Sequence, residues 1–273
     1  MLMKTIALDG RLRLEYFEQG DADGVPLVLL HGYSDSSYSY DLLLARLPAS
    51  VHAYALTQRG HGDADRPLTG YGPEDHAQDV RAFMDAMGLD AAVVVGHSGG
   101  SYTAQRFALD HPERTLGLVL VGAFPTFRTA DFNEQQSVVD ELTDPVDPAF
   151  VREFQESTIS QPVPAAFVER VVAESRKLPA RVWQTWLAEM IDAPVPIETG
   201  TIEVPTIILW GDQDVYCTPA SQRVLRAAIP GSRLVTYEGG GHCPHWERPE
   251  QAAKEIVAFA QQQRARGLAS RAS

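Results

Sequence analysis

Residues 93–112 read VVVGHSGGSYTAQRFALDHP, and the order of residue types in that stretch decides what kind of fold the chain can build. A run of β-branched valines ends at a serine set between Gly96 and Gly100, and a helical pattern begins at once. So sharp a turn from strand into helix needs small neighbours. The residue at the corner takes strained backbone geometry and projects its hydroxyl above the sheet edge. The amide that follows opens a helix N-terminus, where an anionic oxygen can be held. Ser98 is therefore presented as a nucleophile.

Outward from that corner, residues 26–30, 51–56, 91–95, 116–121 and 206–210 are almost continuously hydrophobic, as strands buried on both faces are. Amphipathic segments lie between most of them, at 73–87, 101–109, 219–228 and 249–262. The alternation predicts an α/β fold: a mostly parallel central sheet with helices on both faces. Residues 5–17 alternate more regularly and predict antiparallel strands at one edge.

The alternation breaks once. Between Phe124 and Ile202 strand signals vanish and proline-punctuated helical segments take over. This predicts a core made of residues 1–123 and 202–273, with a helical cap inserted at 124–201. Within the cap, Phe167, Val168, Val171 and Val172 share one helical face, and after Pro179 so do Val182, Trp183, Trp186, Leu187 and Met190. Residues 264–273 read as a frayed terminus.

Composition narrows the function. With 273 residues, 44% hydrophobic and 22% charged, the chain can bury a sizeable core. Its formal net charge of -13 repels phosphate backbones and anionic bilayers, which argues against nucleic-acid and membrane partners and for a neutral or apolar small molecule. The first residues lack the apolar core of a signal peptide, and no apolar run is long enough to span a bilayer, so a cytoplasmic location is expected. Cys217 and Cys243 are the only cysteines, too few for a disulfide scaffold or a thiolate zinc site, and no metal is expected.

A serine at its free pKa is a poor nucleophile. A histidine must take its proton, and a carboxylate must hold that histidine in the right tautomer. Residues 210–215, WGDQDV, follow the last strongly apolar strand and offer Asp212 and Asp214; residues 239–249, GGGHCPHWERP, follow a strand at about 234–237 and offer His242 and His245. Both segments sit at strand C-terminal ends, the edge where open α/β sheets place their ligands.

GHSGG, WGDQD and GGGH, taken together and in this order, resemble the α/β-hydrolase family over nearly the whole chain. The resemblance implies the α/β-hydrolase fold, with Ser98 as nucleophile, Asp214 as acid and His242 as base. It favours Asp214 over Asp212 because the family's G-D-x-D pattern uses the second aspartate. The LHGYS segment at 30–34 resembles the family's oxyanion loop, which implies a hole made by the backbone amides of Tyr33 and Gly99. His31 and His61 belong to loop motifs and read as structural, and Cys243 reads as a small buried filler. Two departures stand out. Thr57 occupies a place where the family often carries aspartate, and Ser34 stands where epoxide hydrolases carry proline.

The resulting expectation is a cofactor-independent serine hydrolase that cleaves an ester, lactone or thioester of a small, mainly apolar substrate through an acyl-enzyme. Phe124, Phe127, Trp183, Trp186 and Met190 are the expected apolar substrate contacts. The alternatives are a small-molecule receptor on the same fold, a carbon-carbon bond hydrolase, or a perhydrolase.

Overall fold

A computed structural model describes residues 2–8 and 12–272, the side chains of 268–272 excepted. The strands are β1 (Met3–Leu8), β2 (Leu12–Gln19), β3 (Val25–Leu30), β4 (Val51–Thr57), β5 (Ala92–His97), β6 (Thr115–Val121), β7 (Thr206–Gly211) and β8 (Arg233–Tyr237). They form one sheet in the order β1-β2-β4-β3-β5-β6-β7-β8. From β4 to β8 every pairing is parallel, while β2 runs antiparallel to both β1 and β4. The antiparallel strands thus occupy one edge, as the alternation at 5–17 predicts. Residues 9–11, between β1 and β2 in the chain, lie outside the described residues.

The helices are α1 (Asp41–Leu44), α2 (Pro73–Ala86), α3 (Gly99–Asp110), α4 (Ala130–Asp140), α5 (Pro148–Glu156), α6 (Ala165–Ser175), α7 (Ala180–Asp192), α8 (Pro196–Thr199), α9 (Pro219–Ala228), α10 (Pro244–Glu247) and α11 (Pro249–Ala272). The period-2 geometry of the central strands divides their side chains between two cores. Val28, Leu30, Val94, Leu118, Leu120 and Ile208 face one side, where Phe83 and Met84 of α2 and Phe107 of α3 meet them. Leu27, Leu29, Val93, Val95, Val119 and Leu209 face the other, against Ile256 and Phe259 of α11. A strand buried on both faces has no polar alternation to display, which explains the near-continuous apolar runs. Among the described residues no helix is long and apolar enough to cross a membrane.

The helices from α4 to α8 stand between β6 and β7. α4, α5, α6 and α7 contribute to a third apolar cluster over the C-terminal ends of the strands, which holds Val182, Trp183, Trp186, Leu187 and Met190 together with Tyr33 of the loop after β3 and Trp210 of β7. The face read on α6 divides: Val172 joins this cluster, whereas Phe167 and Val171 pack with Cys243 and Trp246 beside the β8 loop. Ile197 of α8 packs instead on the sheet core around α3. At the C-terminus the helix runs on to Ala272, where composition suggests fraying; Ser273 lies outside the described residues.

Candidate active site

The corner between β5 and α3 is built by steric necessity. Ser98 has φ 51 and ψ -120, a positive φ that is costly for a residue with a Cβ. It is held there by its amide donating to Val121 O at 2.9 Å and by the Ser101 amide and hydroxyl donating to its carbonyl at 2.9 and 2.6 Å. A Cβ at position 96 would lie 2.3 Å from Gly100 O, and one at position 100 would lie 2.3 Å from Leu30 O, so neither glycine can be replaced without moving backbone. Among the described residues nothing hydrogen-bonds the Ser98 hydroxyl, which faces a cavity. The Gly99 amide, first of its helix, has no acceptor within the helix.

His242 and Asp214 approach from the loops after β8 and β7. His242 Nδ1 lies 2.9 Å from Asp214 Oδ2, and Asp214 Oδ1 accepts the amides of Tyr216 and Cys217 at 2.8 and 2.9 Å. An acceptor at Nδ1 requires that nitrogen to carry the proton, which leaves Nε2 of a neutral imidazole as the acceptor. Burial alone would raise the Asp214 carboxyl, but the His242 imidazole and the two amides outweigh it, and its pKa falls below the ordinary carboxylate value. The His242 amide donates to Thr158 O of the helical insert at 3.0 Å, so the insert helps to place the imidazole.

The rival residues have other duties. Asp212 Oδ1 accepts the Gly239 amide at 2.8 Å and ties the two loops together. His245 is fully buried against Tyr40, His97 and Trp246. His31 Nδ1 donates to Gly32 O at 2.8 Å while Nε2 accepts the Gln58 amide at 3.0 Å, which fixes a neutral tautomer. His61 Nδ1 donates to Arg59 O at 2.9 Å. Cys243 is buried, with its sulfur 3.5 Å from His97 Nε2. Ligand atoms of Asp214, Cys217 and His242 fall within 4.8 Å of one another. Burial pushes the Cys217 thiol well up, however, and the Asp214 oxygens already hold two amides and an imidazole, a donor set that suits proton handling better than a cation.

Ser98 and His242 line one cavity with Gly32, Tyr33, Phe124 and Phe127. Of the five expected substrate contacts, Phe124 and Phe127 line this cavity. Trp183, Trp186 and Met190 do not line it: they belong to the buried cluster behind it. Trp183 packs against Tyr33, Phe150 and Phe154, and Trp186 stacks on Tyr33 with ring centroids 4.5 Å apart. A helical face identifies what is apolar, not whether it meets a cavity or another side chain. The Tyr33 amide has no acceptor among the described residues, and its hydroxyl donates to Trp183 O at 2.5 Å.

Residues 27–255 match the model of the Alpha/beta hydrolase family. The chain belongs to that family. As an α/β-hydrolase enzyme it is similar to a non-heme chloroperoxidase of Streptomyces lividans, 25% identical with 94% of this chain and 99% of the relative covered. It is also similar to an sn-1-specific diacylglycerol lipase of Mus musculus, 26% identical with 88% and 82% covered. Among solved structures, an esterase from Exiguobacterium antarcticum superposes with a TM-score of 0.84 at 22% identity, covering 94% of this chain and 99% of that one.

This hydrolase adapts two family positions. Thr57 Oγ1 donates to Ser37 Oγ at 2.9 Å and accepts the Ser37 amide at 3.1 Å, which ties the end of β4 to the loop after β3. Ser34 has φ 64, a value closed to proline, and its hydroxyl accepts Gln155 Nε2 at 3.0 Å. The Gln155 amide group also reaches Asp35 Oδ1 at 3.0 Å and Ser175 Oγ at 2.8 Å. Gln155 and Asp35 both line the cavity and were not legible beforehand. They stand 120 residues apart in the chain, and only folding joins them. The available signal for Asp35 was its place two residues after Tyr33, in the loop expected to hold an oxyanion.

Proposed function

We propose that the protein is a cofactor-independent serine hydrolase that cleaves a carboxylic ester of a small, mainly apolar substrate. The observation that carries this reading is the 2.9 Å contact of His242 with Asp214 beside the strained Ser98, with Ser98 and His242 lining the same cavity. In this reading Ser98 Oγ attacks the acyl carbon as His242 Nε2 takes its proton, while the Tyr33 and Gly99 amides hold the oxyanion. His242 passes the proton to the departing alcohol oxygen, leaving an acyl-Ser98 ester. Water then attacks that ester with His242 as base, releasing the acid and restoring the serine. Asp214 keeps the imidazole oriented and stabilises its charged form.

The esterase and lipase names of the relatives support ester cleavage, and residues 124–201 act in this reading as the cap that shapes the pocket. Transfer of the acyl group to peroxide in place of water is a second reading, favoured by the likeness to a non-heme chloroperoxidase. A fluorophosphonate probe should label Ser98, with the adduct located by peptide mass, and a panel of esters, lactones and thioesters should be turned over by the wild type but not by Ser98→Ala. Undiminished labelling of Ser98→Ala sinks the assignment of the nucleophile. Hydrogen peroxide added to the same assays separates acyl transfer to peroxide from hydrolysis.

A further inference from the structure

The cavity over Ser98 continues outward. A second groove shares Phe124, Phe132, Gln135 and Tyr216 with it and runs between α4 and the loop from β7 into α9. The two ends differ in character. Around Ser98 most of the lining residues are buried, among them Tyr33, Phe124, Phe127 and Trp246. Along the groove stand Val138 and Val215, 53% and 72% exposed, together with the exposed carboxylates of Asp131 and Glu134. Neither carboxylate is in a salt bridge among the described residues, and no lysine or arginine lines either the cavity or the groove. Arg128, close by in sequence, directs its guanidinium to the carbonyls of Ile191 and Asp192 at 3.3 and 2.9 Å.

The position of His242 says which half of a substrate faces the groove. Its ring lies 5.1 Å from Tyr216 and 5.5 Å from Phe124, both shared with the groove. The group that receives a proton from His242 is the leaving oxygen, and the alcohol must depart to solvent while the acyl group stays on Ser98. The groove, with its solvent-exposed lining, therefore suits the alcohol, and the cavity lined by buried side chains suits the acyl chain.

We infer that the groove is the leaving-group subsite, and that it takes apolar alcohols that are neutral or cationic while rejecting anionic ones, including the thiol of a phosphate-bearing carrier. This rests on the serine-hydrolase reading above. Val138 and Val215 supply the apolar surface for such an alcohol. Two unpaired carboxylates at the mouth, on a chain of net charge -13, set a negative potential that repels an anion and attracts a cation. The charge effect is exposed and screens with salt, whereas the apolar contact does not.

The test uses butyrate esters of three para-substituted benzyl alcohols, the para group being neutral, a quaternary ammonium or a carboxylate. At low ionic strength the neutral and ammonium esters should exceed the carboxylate ester in kcat/KM by about tenfold or more, with the gap narrowing in 0.5 M salt. Asp131→Asn with Glu134→Gln should raise the carboxylate-to-neutral ratio at least several-fold. Glu113→Gln, an exposed acid just before the N-terminal end of β6, should leave that ratio where it was. For neutral butyrates, lengthening the alcohol from ethyl to hexyl should raise kcat/KM, and Val215→Asp should remove the gain. Turnover with no charge preference, or a ratio unmoved by the double variant, overturns the subsite alone. Failure to turn over any of these esters, with no probe labelling at Ser98, overturns the hydrolase reading and the subsite with it.

Discussion

Asp35 Oδ2 stands 3.8 Å from Nδ1 of His97, the residue immediately before Ser98. Two buried groups that could carry opposite charges face each other beside Ser98, too far apart for a hydrogen bond. Burial dominates both. It drives the His97 imidazole well below its ordinary pKa and raises the Asp35 carboxyl to about 7, against the opposing pull of the Gln155 amide and the Ser39 hydroxyl. Below that pH the pair is neutral.

This carboxyl makes a stability prediction whose sign is unusual for an aspartate. The folded state keeps a proton that the unfolded chain releases at an ordinary pKa of 3.8. Between about pH 4 and pH 7 the folded state binds more protons, so stability is lost as pH rises through that window. Asp35→Asn retains an oxygen for Gln155 but cannot ionise. Its stability relative to wild type should therefore improve by roughly 2 to 3 kcal/mol between pH 5 and pH 8, read from urea unfolding at each pH. A difference that stays constant, or moves the other way, would mean that Asp35 ionises freely in the folded protein.

The buried histidines act in the opposite direction. Burial pushes His245 down to about 3 and His61 to about 4, and leaves His31, His76 and His97 well below the ordinary value. The unfolded chain takes up protons on these groups near pH 6.5 while the folded state does not, so stability falls as pH drops below about 6.5. His245, with both ring nitrogens buried and unpartnered, isolates the effect. His245→Leu should flatten the acid slope by about 1 kcal/mol per pH unit and hold kcat/KM within about tenfold. His242→Ala should abolish nearly all turnover. Equal losses of activity in the two variants would refute the choice of base.

Where a single segment contains its own cause, its structure was legible in the sequence. The strands through Leu27–Leu30 and Val93–Val95 are apolar on both faces, and the elbow at Ser98 carries its glycines beside it. What could not be read is whatever depends on contact between distant segments. The Gln155 bridge to Ser34, Asp35 and Ser175 leaves no local trace, and neither does the support of His242 by Thr158. Trp183, Trp186 and Met190 show the complementary problem: their shared face was visible, but the neighbour it would meet was not.

The choice between the two aspartates after β7 now has a geometric basis. Asp214→Asn can keep its oxygen on the amides of Tyr216 and Cys217, which turns its NH₂ toward His242. The imidazole must then accept at Nδ1 and carry its proton on Nε2, where it cannot receive one from Ser98. A loss near 10⁴ in kcat/KM is expected, the scale that the same exchange has in serine proteases, with the melting temperature little altered. Asp212→Ala removes the acceptor of the Gly239 amide and should cost about 1 to 3 kcal/mol, a fall of several degrees in melting temperature, with kcat/KM within about tenfold. An inactive, stable Asp212 variant beside an active, unstable Asp214 variant would reverse the roles.

Trp186 of α7 links Gly99 to Tyr33, the two residues whose amides are proposed to hold the oxyanion. A Cβ at position 99 would lie 2.3 Å from the Trp186 ring, whose face in turn stacks on Tyr33 at 4.5 Å. Gly99 has no positive φ, so alanine is allowed by the backbone and forbidden only by that indole. Gly99→Ala must push Trp186 away, and the stacked Tyr33 moves with it. Both amides proposed to bind the oxyanion would then shift, and a displacement near 1 Å at such a site costs on the order of 10²-fold in rate. Trp186→Leu removes the obstructing ring while keeping an apolar side chain in the cluster. The double variant should therefore recover kcat relative to Gly99→Ala alone, even though Trp186→Leu by itself lowers stability through the cavity it leaves. Measured kcat for the two single variants and the double variant decides it: losses that simply multiply would show that the indole does not set the position of the hole.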